Sequence, residues 1–169
     1  MDLYLLRHGI AVNPEETAPD GERPLTDKGS KRMRKAARGL RRLGITFDAI
    51  LTSPLARAHQ TATIVAETLG REGQLSVVEA LKSDSSVEEL LSSLKDYANC
   101  ENLLLVGHEP LLSDTASFLL TGKKTSTVKM ALKKGGLCQI EIDSLPPRNP
   151  GVLHLLLKPK LLRRLGKRG

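Results

Sequence analysis

The chain has 169 residues, a formal net charge of +7 and only 2% aromatic residues, with no tryptophan. A chain of this length forms one domain whose core is stable without disulfides or a structural metal, which argues against a separate cofactor-binding domain. Because single-stranded nucleic acids are bound by stacking bases on aromatic side chains, the composition also argues against that class of protein.

The positive charge is concentrated near the end of the chain. The last twelve residues hold six basic residues and no acidic one, so the other 157 carry a net charge of only +1. We therefore predict a single domain over residues 1–157 and a basic C-terminal tail over residues 158–169, which is either disordered or a short amphipathic helix. A second basic cluster between Lys28 and Arg42 is expected to be a solvated helix face, with steering of a charged partner as the alternative.

The sequence shows no sign of secretion or of a membrane anchor. Its longest apolar runs fall far short of the roughly 20 residues that cross a bilayer. Its two cysteines, Cys100 and Cys138, form no CxxC pair, and we expect both thiols to be inert in a reducing compartment. These features predict a soluble cytoplasmic protein that makes no contact with membranes.

Six short apolar runs alternate with segments of helical periodicity, which is typical of a sheet covered by helices on both faces. The last two runs are joined by a Pro- and Gly-rich turn and predict an antiparallel hairpin at an edge. We therefore predict a three-layer α/β/α sandwich with a mostly parallel central sheet and one antiparallel edge strand. The predicted strands are Leu3–Leu6, Asp48–Thr52, Leu75–Val78, Asn102–Val106, Leu137–Ile142 and Val152–Leu157.

Four helices carry recognisable start and stop signals. Thr26 is the expected N-cap of the first, and Ser53 that of the second, with Pro54 at the first helical position. Ser86 opens a capping box at the start of the third. The predicted helices span residues 26–43, 54–69, 86–98 and 110–122.

Two histidines and two arginines follow the ends of predicted strands. Arg7 and His8 come directly after the first strand, Arg57 lies one turn into the helix after the second, and His108 follows the fourth. Because ligands of open α/β sheets bind beyond the carboxyl ends of the strands, these side chains converge on one crevice if the three strands are parallel neighbours. The N-termini of two helices would face the same place and favour an anion.

These residue types suit phosphoryl transfer. Two guanidiniums bind a phosphate through paired hydrogen bonds, and His108 would neutralise the charge that develops on its oxygens. Neutral His8 would attack phosphorus, and water would later release the phosphate. Any one of these residues alone is more often a surface or capping residue, so the prediction depends on all four together. His59 is expected to be structural or solvated, and His154 to be a core or surface residue.

Four segments of the chain resemble the histidine phosphatase superfamily, which has the phosphoglycerate mutase-like fold. The resemblance covers roughly residues 1–157 and is strongest to the SixA-type phosphohistidine phosphatases, which dephosphorylate histidine-phosphotransfer domains. It implies His8 as the phosphorylated nucleophile, Arg7, Arg57 and His108 as the phosphate pocket, no large cap insertion, and no metal or other cofactor. The matching segments are Leu3–Ala11, Arg23–Thr26 with Gly29, Ser53–Ala62 and Val106–Pro110.

The chain also departs from larger mutase-like relatives. They carry an asparagine six residues after the nucleophile, where this chain has Pro14, with Asn13 one place earlier. They also carry an acid that protonates the leaving oxygen, for which Glu79 and Asp84 are the only nearby candidates here. Since phosphohistidine expels a neutral imidazole and a sugar phosphate expels a basic alkoxide, a weak general acid favours N–P bonds.

These observations predict a monomeric phosphohistidine phosphatase that acts on a histidine-phosphorylated protein through a covalent intermediate at His8. The first alternative is a small-molecule phosphatase of the same superfamily that acts on a sugar or nucleoside phosphate, and a mutase is less favoured. From a different class, the chain could be a basic phosphate- or nucleic-acid-binding module that uses the tail and the 28–42 helix, although we do not expect nucleic acid as its partner.

Overall fold

The computed structural model describes residues 1–16, 19–123, 125 and 127–167, and within them six strands form one mixed sheet. All six predicted strands are present, with ends that differ by no more than one residue from the prediction. The strands are β1 (Asp2–Arg7), β2 (Ala49–Thr52), β3 (Leu75–Val77), β4 (Asn102–Gly107), β5 (Leu137–Glu141) and β6 (Val152–Leu157).

The strands lie in the order β3-β2-β4-β1-β5-β6. The pairs β3–β2, β2–β4 and β4–β1 are parallel, so the carboxyl ends of β2, β4 and β1 lie side by side. The predicted hairpin of β5 and β6 forms one edge, and its inner strand, β5, runs antiparallel to both β1 and β6. The parallel arrangement that the candidate residues require is therefore confirmed.

Five helices cover the two faces of the sheet in three layers, as predicted. Around Tyr4 and Leu6 the sheet packs against the first two helices and the buried side chain of Leu162. On the opposite face, Leu3 and Leu5 pack against the third and fourth helices. In the described part of the chain, no helix combines the length and apolarity that a bilayer span requires. The helices are α1 (Asp27–Arg42), α2 (Ala56–Leu69), α3 (Val87–Ser93), α4 (Leu111–Thr121) and α5 (Pro159–Leu165).

Two helix boundaries differ from the prediction. Helix α2 begins at Ala56 after the extended residue Leu55, so the prediction of Ser53 as its N-cap was wrong. Helix α3 opens at the predicted capping box but ends at Ser93, and a separate 3-10 helix, Lys95–Tyr97, follows because the backbone changes to tighter turns there. Thr26 does cap α1, since its side chain accepts a hydrogen bond from the backbone of Gly29.

The basic segment after β6 forms α5, which is one of the two alternatives considered for it. Leu162 is fully buried in the core that α1 and α2 form. The carbonyl of Leu162 lies so close to Gly39 of α1 that a Cβ there would overlap it. The domain boundary between residues 157 and 158 stays a prediction, and Arg168 and Gly169 lie outside the described residues.

Candidate active site

The four candidate side chains lie together at the carboxyl end of the sheet. Arg7 ends β1 and His8 follows it, His108 follows the neighbouring strand β4, and Arg57 is the second residue of α2. The rings of His8 and His108 lie with their centroids 5.0 Å apart and their planes at 50°. The side chains of His8, Arg57 and His108 are all buried. Parallel pairing of β1 and β4 produces this convergence.

The environment of His8 fixes both its charge and its tautomer. Its Nδ1 lies 2.7 Å from the backbone carbonyl oxygen of Gly9. A carbonyl oxygen can only accept a hydrogen bond, so Nδ1 carries the proton and Nε2 keeps its lone pair. Burial lowers the pKa of His8 to about 3; the Gly9 hydrogen bond opposes this, while His108, Arg57 and Arg7 add to it. At neutral pH the ring is therefore uncharged, with Nε2 ready to act as a nucleophile.

The ring of His108 forms a hydrogen bond with Ser53. Nε2 of His108 lies 3.0 Å from the hydroxyl oxygen of Ser53, which is fully buried at the end of β2. The same oxygen accepts a hydrogen bond from the backbone N–H of Leu55 at 3.3 Å. Burial lowers the pKa of His108 to about 4, and the charge of Arg57 contributes to the shift. His108 is thus a second neutral imidazole beside the first.

Each arginine is anchored through the end of its guanidinium. Arg57 donates from Nη1 to the backbone oxygen of Asp20 at 2.7 Å and from Nη2 to its carboxylate at 2.9 Å. Arg7 donates from Nη1 to the carbonyl oxygen of Leu132 at 2.9 Å. These contacts fix the orientation of both guanidiniums and leave Nε of each without a protein partner.

Buried polar atoms without a hydrogen-bond partner mark this site. Within the described residues, such side-chain atoms are Nε of Arg7, Nε of Arg57, Nδ1 of His108 and one carboxyl oxygen of the adjacent Glu109. A buried donor without a partner costs about 1–3 kcal/mol, so the two arginine Nε groups indicate a site built for a ligand with acceptor atoms. A phosphoryl group, with its negatively charged oxygens, is such a ligand.

The sequence indicated no role for several residues at the site, although Arg23 lies in one of the matching segments. Asp20 and Arg23 lie on the loop before α1, where the Asp20 carboxylate binds both Arg23 and Arg57. Burial raises the pKa of Asp20, but hydrogen bonds from Arg23 and Arg57 outweigh it and lower the value. Lys134 lies near the same arginines. Burial lowers its pKa, and the charges of Arg7, Arg23 and Arg57 lower it further. These loop residues carry no periodic signal, and only tertiary contacts reveal them.

The tertiary structure places one partly buried acid, Glu109, beside the candidate residues. It directly follows His108, and burial raises the pKa of its carboxyl, against opposing contributions from Ser113 and the charge of Arg7. The hydroxyl of Ser113 donates to one of its oxygens. The sequence placed Glu109 within a matching segment but indicated no role for it.

The acids suggested by the sequence are exposed. Glu79 pairs with Lys82 at 2.5 Å, and Asp84 lies in the exposed turn before α3. Asn13 is exposed on the loop after β1. His59 is exposed on α2, and the exposed His154 pairs with Glu141 at 2.7 Å, so both histidines are surface residues.

The cysteines lie apart from this constellation. Burial raises the pKa of the Cys138 thiol to about 12, and burial also raises that of Cys100. No cluster of three or more potential metal ligands of the His, Cys, Asp or Glu type occurs in the part of the chain that the structure describes.

Two sequence comparisons relate the chain to known proteins. Residues 3–83 match the family model of the histidine phosphatase superfamily (branch 1). The chain is 38% identical over 167 residues to an uncharacterised protein of Picosynechococcus sp., covering 96% of this chain and 99% of that protein.

Solved structures show the same fold. The protein histidine phosphatase SixA complexed with tungstate superposes with a TM-score of 0.83 and 24% identity, covering 96% of this chain and 99% of that one. The α-ribazole phosphatase from Shigella flexneri superposes with a TM-score of 0.74 and 21% identity, covering 94% of this chain and 97% of that one. The match to the family model, together with the shared fold, shows that the chain belongs to the histidine phosphatase superfamily.

Proposed function

We propose that this protein is a phosphohistidine phosphatase, which removes the phosphoryl group from a histidine-phosphorylated protein through a covalent intermediate on Nε2 of His8. The observation that carries the proposal is the pair of unpartnered Nε donors on Arg7 and Arg57, with the unpartnered Nδ1 of His108, beside the neutral ring of His8. The likeness to SixA supports this choice of substrate class within the superfamily.

In the first step, the lone pair on Nε2 of His8 attacks the phosphorus atom. A bond forms between Nε2 and phosphorus while the bond between the substrate imidazole and phosphorus breaks. If the other nitrogen of the substrate ring carries a proton, the substrate leaves as a neutral imidazole. The Nδ1 proton of His8 stays on its ring, hydrogen-bonded to the carbonyl of Gly9. No further proton transfer is needed, which suits a pocket with few acids.

In the second step, water attacks the phosphorus of the phosphorylated His8. The bond to Nε2 breaks, His8 returns to its neutral form with Nδ1 protonated, and both protons of the water leave with the phosphate as dihydrogen phosphate. Throughout both steps, Nε of Arg7 and of Arg57 would bind the equatorial oxygens. With Ser53 donating to Nε2 of His108, the Nδ1–H of His108 becomes a further donor to the phosphoryl group.

The protein's own residues would perform this chemistry without a metal ion. Two guanidiniums neutralise a phosphate dianion and a histidine supplies the nucleophile, so each role usually given to a metal has a side chain here. We therefore expect that treatment with a chelator leaves the activity unchanged. Loss of activity with EDTA that is restored by one added metal would contradict this part of the proposal.

A second candidate is a phosphatase for small phosphate monoesters, and Glu109 favours it. An alkoxide leaving group needs a proton, and a half-buried carboxyl with a raised pKa is a possible donor. The α-ribazole phosphatase with the same fold acts on a substrate of this general type according to its name. The two candidates differ in what Glu109→Gln should do, since only ester hydrolysis depends on that proton.

The decisive experiment compares a phosphohistidine peptide with a panel of sugar and nucleoside phosphates, with the wild type, His8→Ala and Glu109→Gln. We expect the peptide to be hydrolysed at least a hundredfold more efficiently than any ester, with a transient acid-labile phosphate on His8 detected by mass spectrometry under alkaline quench. Glu109→Gln should leave peptide hydrolysis within a few-fold of wild type. Faster turnover of one ester that Glu109→Gln abolishes would support the second candidate instead.

We further propose that the partner is a histidine-phosphotransfer domain and that the protein acts as a monomer in the cytoplasm. For a protein partner, the supporting feature is that the described residues contain no long insertion that could cover the site against a side chain presented by another protein.

A further inference from the structure

A groove lies next to the chain segment that carries His8. It has a volume of about 580 Å³ and runs between α1, the loop before β5 and the start of α5. Arg7 and Gly9, the neighbours of His8 in the chain, are among the residues that line the groove. The loop is tied to the nucleophile strand because the backbone N–H of Gly135 donates to the carbonyl oxygens of Arg7 and His8 at 2.9 and 3.1 Å. The groove is thus built in part from the two residues that flank His8.

The walls of the groove carry a strong positive charge. Besides Arg7, six basic residues and no acidic residue line it, and within the described residues none of these six forms a salt bridge. Burial lowers the pKa of Arg163, and the charge of the nearby Arg32 lowers it further. The six basic residues are Arg32, Lys133, Lys134, Lys158, Lys160 and Arg163.

The floor of the groove is apolar and closely packed. It includes Met33 and Ala36 of α1, both buried, together with Pro159 at the start of α5. A Cβ on Gly135 would lie 3.0 Å from the sulfur of Met33 and 3.6 Å from Cβ of Pro159, so these three residues form a continuous surface. None of the described residues that line the groove is aromatic, so they offer no ring on which a nucleic acid base could stack.

We propose that this groove binds an acidic segment of the phosphorylated protein substrate, next to the histidine whose phosphoryl group enters the pocket. The proposal rests on the phosphohistidine phosphatase function proposed above. Carboxylates of the segment would pair with the basic walls, and its apolar side chains would lie on the floor. The volume is far larger than one phosphate group needs and lies in the range of clefts that bind drug-sized ligands.

The groove explains a feature that the phosphate pocket does not. A pocket for one phosphoryl group needs the cations that touch it, whereas Lys158, Lys160 and Arg163 belong to a different helical segment, α5 and the residue before it. Opposite charges placed between them would reduce their mutual repulsion with Arg32 and Lys133. An acidic substrate segment supplies those charges at the moment of docking.

The test uses two phosphohistidine peptides of equal length, one with Asp and Glu flanking the phosphorylated residue and one with Asn and Gln instead. The groove variant is Lys133→Gln with Lys158→Gln and Lys160→Gln, three exposed residues. The control variant is Lys95→Gln with Lys123→Gln and Arg148→Gln, which are equally exposed and remove the same charge outside the groove. Circular dichroism and hydrolysis of free phosphoramidate check that each variant is folded and retains a working pocket.

We expect the wild type and the control variant to hydrolyse the acidic peptide about tenfold more efficiently, through KM, at low ionic strength. The groove variant should lose that preference, and raising the salt concentration should reduce it in the wild type. Equal efficiency for the two peptides in the wild type, or a preference that survives in the groove variant, would overturn the groove proposal alone. Failure to hydrolyse either peptide would overturn the proposed function itself.

A competition arm distinguishes a nucleic acid as the occupant. Poly-glutamate and an RNA oligonucleotide of matched charge are added as inhibitors of the acidic peptide reaction. Stronger inhibition by poly-glutamate that is lost in the groove variant supports an acidic polypeptide. Stronger inhibition by RNA that is lost in the same variant would overturn the proposal.

Discussion

The hydroxyl of Ser53 lies 3.0 Å from Nε2 of His108, although the two residues are 55 positions apart in the chain. This contact connects the ends of β2 and β4 and sets the orientation of the second imidazole. We expect Ser53→Ala to lower kcat/KM by about tenfold or more, mainly through kcat, since the donor to the phosphoryl group loses its fixed tautomer.

Steady-state kinetics on a phosphohistidine peptide would measure the Ser53→Ala effect. Ser93→Ala is the matched control, because its hydroxyl donates only to the backbone of Leu90 in an exposed part of α3. Wild-type kinetics in Ser53→Ala would show that Ser53 does not position His108.

The shape of the Arg57 side chain should matter as well as its charge. A guanidinium reaches two atoms of Asp20 and still has Nε without a protein partner, whereas a lysine has one terminal nitrogen. We expect Arg57→Lys to reduce kcat/KM by about a hundredfold. Arg41→Lys, on the exposed face of α1, should have no effect. If Arg57→Lys retained more than half of the wild-type efficiency, the reaction would not require the shape of a guanidinium at this position.

The two buried histidines should make the protein less stable in acid. Their pKa values are lowered in the folded state to about 3 for His8 and about 4 for His108, so at pH 5 the unfolded chain binds protons that the folded chain does not. Stability is therefore complete above about pH 6.5 and falls as the pH drops towards the folded-state values. At pH 5 the loss is about 2 kcal/mol for each ring.

Urea unfolding at pH 7.5 and pH 5 would measure this loss. In the double variant His8→Asn with His108→Asn, we expect the difference between the two pH values to shrink accordingly. His59→Asn replaces an exposed histidine and should leave the difference unchanged. An equal pH dependence in the double variant and the wild type would contradict the assignment of neutral rings.

The packing of α5 on α1 depends on the missing side chain of Gly39. A Cβ at this position would overlap the carbonyl oxygen of Leu162, so we expect Gly39→Ala to lower the free energy of unfolding by about 1–3 kcal/mol. The sign is informative, because alanine in place of glycine inside a helix is otherwise stabilising. Gly73→Ala is the control, since a Cβ there has no atom within 4 Å. A stabilising effect of Gly39→Ala would show that α5 does not press on α1.

The sequence was sufficient to predict the strands and the convergence of His8 and His108, because buried strands are apolar runs and the candidate residues follow their ends directly. It misplaced the start of α2, since Ser53 and Pro54 together form a typical helix start while the Ser53 hydroxyl in fact contacts His108. It could not reveal Asp20 or Lys134, whose positions follow from tertiary packing of loops. Glu109 was visible in the sequence, but its burial was not.

The position of β1 in the sheet has a consequence for how the protein matures. This strand carries Arg7 and precedes the others in the chain, yet its two neighbours are β4 and β5, which come about one hundred residues or more later. During synthesis on the ribosome, β1 therefore cannot pair with either neighbouring strand until most of the polypeptide has emerged. Because His108 follows β4, it can come to lie beside His8 only at that late stage.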